Sequence, residues 1–182
     1  MFETAFFEFP ELTSSSNDCY SIIGRALFYA TFFESNFVAF NKGIELKINF
    51  NKGLTFDDPN FKNILAEISK RSLYKHINFF KNRFDKSVLP DILIKDFYQI
   101  LNDARESRNI IAHDICKGIE FEIETDKGHD NICQQIKENI LKIAKADAIV
   151  CFFIQIFNQE PVPVSSYIED YPIKVMNWVL GQ

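Results

Sequence analysis

Apolar side chains recur every three or four residues along most of this 182-residue chain, and this spacing constrains the fold more than any other feature. A period near 3.6 residues predicts amphipathic helices that bury one face against one another. Four main segments carry the pattern, and a shorter one follows them, at residues 17–42, 59–84, 90–111, 130–157 and 175–180. We therefore predict an all-α fold, an antiparallel bundle of about four main helices with a short C-terminal helix.

Polar, proline and glycine residues predict where these helices begin and end. An irregular arm at residues 1–16 precedes N-cap residues at 16–18, and Gly43 offers an end to the first helix. Pro59 and Pro90 suit the first turns of the second and third helices. These boundaries give one helical domain over residues 1–182, in which 158–182 form a tail.

Two stretches, residues 44–50 and 119–123, alternate apolar and polar side chains instead. This period of two leaves minor β segments open as alternatives to helix at 44–50 and to loop at 119–123. Hydrophobic residues make up 47% of the chain, so a core can form without disulfides or a structural metal.

Charge and hydropathy restrict the setting in which the chain acts. A net charge of -5 argues against a general nucleic-acid coat but leaves room for one local basic site. The longest mainly apolar stretch, residues 146–157, is shorter than the roughly 20 residues of a membrane span. The acidic start of the chain is unlike a signal peptide, which predicts a cytoplasmic protein whose four cysteines are reduced thiols.

One arginine lies on the stripe that the third helix should bury. Arg108 follows Leu101 and Ala104 and precedes Ile111 at steps of three and four residues. A guanidinium is always charged and is costly to bury without a partner. Arg108 should therefore meet a carboxylate, with Glu34 as one candidate, or face a polar cleft or a partner subunit.

Arg108, Asn109 and His113 form an Arg-Asn-x-x-x-His motif at the end of this helix. The motif resembles that of the HEPN family (higher eukaryotes and prokaryotes nucleotide-binding), and the helical order over residues 17–157 is similar to that of the family. The resemblance implies a metal-independent endoribonuclease that uses no cofactor and acts on RNA as a homodimer with a composite active site. It also implies a toxin or an antiviral defence effector, with an antitoxin or regulatory protein as a further partner.

The chemistry of such a site fits the residue types of the motif. The 2′-OH of RNA attacks the adjacent phosphate when a base such as His113 takes its proton, and Arg108 stabilises the charge that develops. Asn109 would bind the phosphate or orient His113, and the family's frequent helper on the first long helix would be Glu34, as a supporting acid, or Asn36. Arg108 and His113 are about 140° apart on an ideal helix, so they converge if the helix ends near His113 or if a second subunit contributes.

Two observations qualify the resemblance. Arg71 and His76 repeat the bare spacing without the asparagine, and His76 falls on the apolar side of its helix, where we expect a hydrogen-bonded core histidine. Some family toxins carry a tyrosine two residues after the motif histidine, which a nucleotidyltransferase antitoxin modifies. Ile115 stands at that position, so the sequence gives no support for that type of control.

A basic surface is needed if RNA is the substrate. We predict that it consists of the five cationic residues Arg71, Lys75, Arg83, Lys86 and Arg105. A solvated helix face without a ligand is the alternative for these residues.

Two further interpretations compete with the ribonuclease. A HEPN-like module without catalysis would bind nucleotide, RNA or a protein through the same cleft. Alternatively, His113, Cys116, His129 and Cys133 have spacings similar to those of small zinc sites, with the ligand types in permuted order. If His113 bound zinc, it could not act as the base.

Overall fold

The computed structural model describes residues 13–84, 91–117, 123, 125–161 and 165–182. It contains six α-helices and one π-helical turn. In chain order these are α1 (Ser14–Asn51), α2 (Pro59–Ser69), α3 (Leu73–Phe84), α4 (Asp91–Asn109), the π turn (Ile110–Asp114), α5 (Asp126–Asn158) and α6 (Ser165–Leu180). No strand occurs in these ranges, so the predicted all-α helical bundle is confirmed.

The first helix is longer at both ends than the sequence predicted. It begins after Thr13, whose hydroxyl accepts from the Ser16 amide at 3.1 Å while the Ser16 hydroxyl accepts from the Thr13 amide at 2.9 Å. The predicted arm therefore gives way to helix at Ser14, and its residues 1–12 lie outside the described ranges. The predicted end at Gly43 and the alternative strand at 44–50 are wrong, because Ile44 and Glu45 continue the buried face of α1.

The helix predicted over residues 59–84 is two helices in the structure. The chain leaves α2 at Lys70, whose amide donates to the Glu67 carbonyl at 3.2 Å, and it enters α3 at Leu73. The break allows Ile68 and Leu73, on either side of the turn, both to be buried. Packing against α1 therefore overrides the apolar pattern that predicted one continuous helix.

The remaining predicted boundaries differ by smaller amounts. α5 begins at Asp126 rather than Asp130, because Thr125 caps it by accepting from the Gly128 amide at 3.0 Å. The C-terminal helix is longer than predicted and holds Pro172 in its interior. The alternative strand at 119–123 falls outside the described ranges except for Ile123, which is buried in a turn.

The long helices do not all run in one direction. Asp18 and Tyr29 of α1 contact His129 and Asp147 of α5 in the same order along the chain, so α1 and α5 are parallel, and the antiparallel arrangement predicted for the main helices does not hold for this pair. α6 runs against α1, because Tyr171 in its middle contacts Tyr29, and the Val179 carbonyl near its end accepts from Arg25. Within the described ranges, no helix is long and apolar enough to cross a membrane.

A buried carboxyl ties α1, α5 and α6 together. Asp147 is fully buried and accepts hydrogen bonds from Tyr29 at 2.9 Å and Tyr171 at 2.6 Å. Burial raises the pKa of Asp147, while the hydrogen bonds from Tyr171, Tyr29 and Asn36 oppose that rise. Asn36, one of the two predicted helper residues, therefore supports this core network.

Candidate active site

The predicted motif lies where α4 ends in the π turn. Arg108 and Asn109 occupy the last positions of α4, and His113 lies within the π turn. Hydrogen bonds in a π turn reach the fifth residue, so each residue rotates less around the axis than in an α-helix. The angle between Arg108 and His113 is therefore smaller than the 140° of an ideal helix. Such turns are frequent at functional sites.

Arg108 is held by an acidic residue of α1. Its Nη2 atom lies 2.5 Å from Glu34 Oε2, and its Nη1 donates to Asn109 Oδ1 at 3.4 Å. The side chains of Arg108 and Glu34 are 22% and 28% exposed, so the pair lies at the surface of the core and stays open to solvent on one side. The predicted contact with Glu34 is confirmed. A guanidinium has five N–H donors, so this contact leaves others for a ligand.

His113 lies on the solvent side of the same turn. Its side chain is exposed, whereas its neighbours Ile111 and Ile115 are buried in the core. The described residues offer it no hydrogen bond or ion pair. The structure gives no direct contact between His113 and Arg108, but an exposed imidazole has the access to solvent and substrate that proton transfer requires.

The second Arg-x4-His match has a different environment. Arg71 forms an ion pair with Glu45 of α1, and His76 is fully buried. Neither ring nitrogen of His76 makes a hydrogen bond of ordinary geometry, although the Ile68 carbonyl lies near enough to favour the protonated ring. Burial, followed by the charges of Arg71 and Lys42, lowers the pKa of His76. The predicted core location of His76 is confirmed, but the predicted hydrogen bond is absent.

The structure divides the predicted RNA-binding residues between two surfaces. Arg71 and Arg83 line one groove between α1, α2 and α3, with a volume of about 610 Å³. Arg105 instead stacks on Tyr74, with its guanidinium carbon 5.4 Å from the ring centre. Lys75 is exposed on α3, and Lys86 lies outside the described residues.

The residues predicted as alternative zinc ligands do not form a set. His129 and Cys133 lie 3.8 Å apart, and His129 Nε2 lies 3.0 Å from Asp18 Oδ2. Among the residues that the structure describes, no three His, Cys, Asp or Glu side chains are grouped so that they could hold a metal ion. Burial raises the pKa of the Cys133 thiol, which disfavours the thiolate that a metal requires.

Sequence reasoning missed Glu45 and Phe79, which complete the surroundings of Arg71. Glu34 and Glu45 are 11 residues apart, which is three turns and about 20° on an ideal helix, so both pairs lie on one face of α1. The spacing of the two glutamates could therefore have identified Glu45 from the sequence. The position of Phe79 beside Arg71 depends on the turn between α2 and α3, which the apolar pattern did not predict.

Comparison of the chain with family models, curated proteins and solved structures finds no significant match.

Proposed function

We propose that this chain is a metal-independent endoribonuclease of the HEPN type, which cleaves RNA through Arg108, Asn109 and His113. The observation that carries the proposal is the exposed His113 on a π turn that directly follows the Arg108–Glu34 pair. The resemblance of the motif adds the expectation of a cytoplasmic toxin or defence effector.

In the proposed reaction each motif residue has one task. The neutral imidazole of His113 takes the proton of a ribose 2′-OH, the 2′ oxygen attacks phosphorus, and the 5′ oxygen of the next nucleotide leaves with a proton from water. Arg108 stabilises the negative charge on the phosphate oxygens. Glu34 holds the guanidinium in place and Asn109 donates its side-chain amide to the phosphate.

The proposed homodimer has support in an exposed apolar surface on α1 and α6. This α1–α6 apolar face consists of large side chains that are 39–64% exposed, namely Tyr20, Leu27, Phe28 and Phe32 of α1 and Trp178 of α6. Leu27 precedes Glu34 by seven residues, or about two turns, so one edge of this face lies on the same side of α1 as the Arg108–Glu34 pair. The proposed second copy would pack against this face.

The ion pair itself favours a second candidate function, a binding module without catalysis. Glu34 already neutralises Arg108, and a carboxylate this close opposes the approach of a phosphate. Of the three ligands open to such a module, namely nucleotide, RNA and a protein, this repulsion favours a protein, and RNA would stay intact.

Cleavage of RNA by the purified protein in excess chelator separates the two functions. We expect the wild type to cleave and His113→Ala to lose cleavage by at least about 100-fold, the contribution of a general base. His129→Ala is the matched control, because His129 is also a surface histidine but lies at the start of α5. Binding without cleavage by the wild type, or equal cleavage by His113→Ala, would overturn the ribonuclease.

A further inference from the structure

The groove between α1, α2 and α3 has the form of a small binding site. Its volume of about 610 Å³ lies within the range of small-ligand pockets. Lys52, Arg71 and Arg83 supply three positive charges, Glu45 and Glu67 supply two negative ones, and the lining also holds Asn60 and Asn63 of α2, with their amide donors and acceptors. The groove therefore offers hydrogen bonds and a small local excess of positive charge in a chain whose net charge is -5.

An aromatic ring with two arginines lies on the α3 side of this groove. The guanidinium carbons of Arg71 and Arg83 stand 5.6 Å and 5.8 Å from the centre of the Phe79 ring. Phe79 is half-buried and Arg83 is exposed, so part of this cluster faces solvent. Nucleic-acid bases stack on aromatic rings and on guanidinium planes, while phosphates bind the guanidinium edge.

We propose that this groove binds one nucleotide unit of single-stranded RNA, with its base on Phe79 and its phosphate on Arg83 and on the N–H donors of Arg71 that Glu45 does not occupy. The proposal rests on the proposed function, because it makes the groove a second contact for the RNA that is cleaved at Arg108. The amides of Asn60 and Asn63 meet the polar edge of the base.

The position of the groove on α1 supports this link. Glu45 holds Arg71 at the groove and Glu34 holds Arg108 at the motif, and the two glutamates share one face of α1. Eleven residues of helix separate them by about 16 Å. A strand that lies along this face reaches both arginines, so the groove sets which RNA segments are held while His113 acts.

Binding of a short single-stranded RNA with 2′-O-methyl groups tests the groove without cleavage, since its 2′ oxygen cannot attack. We expect Phe79→Leu to weaken the affinity, measured by fluorescence anisotropy, by at least about fivefold, because a base loses its stacking partner. The matched control is Tyr74→Leu. Tyr74 is an exposed aromatic residue of the same helix, and its ring contacts Arg105 and not Arg71 or Arg83.

Arg83→Gln provides a second variant that does not depend on packing. Arg83 is exposed in the last turn of α3, so its loss leaves the core intact, and we expect weaker RNA binding and a smaller salt dependence. Lys137→Gln, an exposed cation of α5, is its control.

The outcomes separate this proposal from the ribonuclease. Cleavage that needs His113, together with RNA affinities that Phe79→Leu and Arg83→Gln leave unchanged, overturns the groove and keeps the ribonuclease. Binding of free adenosine monophosphate, but not of RNA, with loss in both variants would identify free nucleotide as the ligand and overturn the RNA subsite. A wild type that binds neither ligand overturns the groove outright.

Discussion

Two stretches of this chain share the same spacing of arginine and histidine and differ in what surrounds the histidine. In both, the arginine forms an ion pair with a glutamate on one face of α1, Arg108 with Glu34 and Arg71 with Glu45. His113 is exposed on the π turn, whereas His76 is fully buried with neither ring nitrogen in a hydrogen bond of ordinary geometry.

The difference shows why spacing alone does not identify a proton-transfer site. A base must reach its substrate, and a fully buried ring cannot do so without local unfolding. Burial also lowers the pKa of His76, which makes that ring a weaker base. The proposed chemistry therefore belongs at Arg108 and His113, and the proposed binding belongs at the surface beside Arg71.

Replacing the two arginines in turn should give the largest contrast. We expect Arg108→Gln to lower the rate of RNA cleavage by about 100- to 1000-fold, as loss of a donor to the developing charge does. Arg71→Gln should lower the rate of RNA cleavage by no more than about tenfold, because one contact to bound RNA is lost. Initial rates at RNA concentrations well below saturation measure both, because kcat/KM reports lost binding as well as lost chemistry. Equal losses in the two variants would contradict the assignment.

A charge on the α1–α6 apolar face should weaken the dimer and lower cleavage, whereas a charge on α3 should do neither. Phe28→Glu places a charge at its most exposed aromatic residue, and we expect the dimer to weaken by about 30-fold or more in dissociation constant. Sedimentation at several concentrations measures the change, and cleavage should fall with the dimer fraction. Tyr74→Glu is the control on α3. A wild type that stays monomeric while it cleaves RNA would contradict the composite site.

Replacing the two glutamates should also lower the cleavage rate more at the Arg108 pair than at the Arg71 pair, but by less than replacing the arginines does. Glu34→Ala removes the group that holds Arg108, so we expect the cleavage rate to fall by about tenfold through misplaced charge. Its RNA affinity should hold or rise, because a carboxylate has left the surface. Glu45→Ala should leave the rate at saturating RNA unchanged. A greater loss of rate in Glu45→Ala would reverse the roles of the two pairs.

The histidines themselves should differ in stability rather than in rate. His76→Leu removes two buried nitrogens without hydrogen bonds, so we expect the free energy of unfolding to rise by about 1 kcal/mol. His113→Leu changes an exposed side chain and should shift it by less than about 0.5 kcal/mol. Chemical denaturation at pH 7 provides both values. A destabilised His76→Leu would show that the nearby Ile68 carbonyl stabilises the ring.

The same variant has an expected pH dependence. Burial lowers the pKa of His76 in the folded protein, so the folded state binds its proton less readily than the unfolded chain. The free energy of unfolding should therefore decrease as the pH falls below about 6.5, the ordinary pKa of histidine, and His76→Leu should remove that part of the decrease. Parallel curves for the two proteins would contradict this reasoning.

The sequence predicted the features that depend on local pattern. Apolar spacing gave the all-α bundle, and the position of Arg108 on a buried stripe required a partner, with Glu34 as one candidate. Tertiary packing decided the rest, because Ile44 extends α1 past Gly43 and the turn after Ser69 divides the predicted second helix. The groove at Phe79 depends on that turn, so no spacing in the sequence could have indicated it.

The most direct test of the central claim uses a DNA strand with one ribonucleotide, placed at a position that the protein cleaves in all-RNA. In excess chelator we expect a single cut after that ribonucleotide, a 2′,3′-cyclic phosphate on the product by mass spectrometry, and loss of the cut in His113→Ala with retention in His76→Leu. A 3′-hydroxyl end, a cut at a deoxynucleotide, or a cut that survives in His113→Ala would contradict the assignment of the 2′-OH proton to His113.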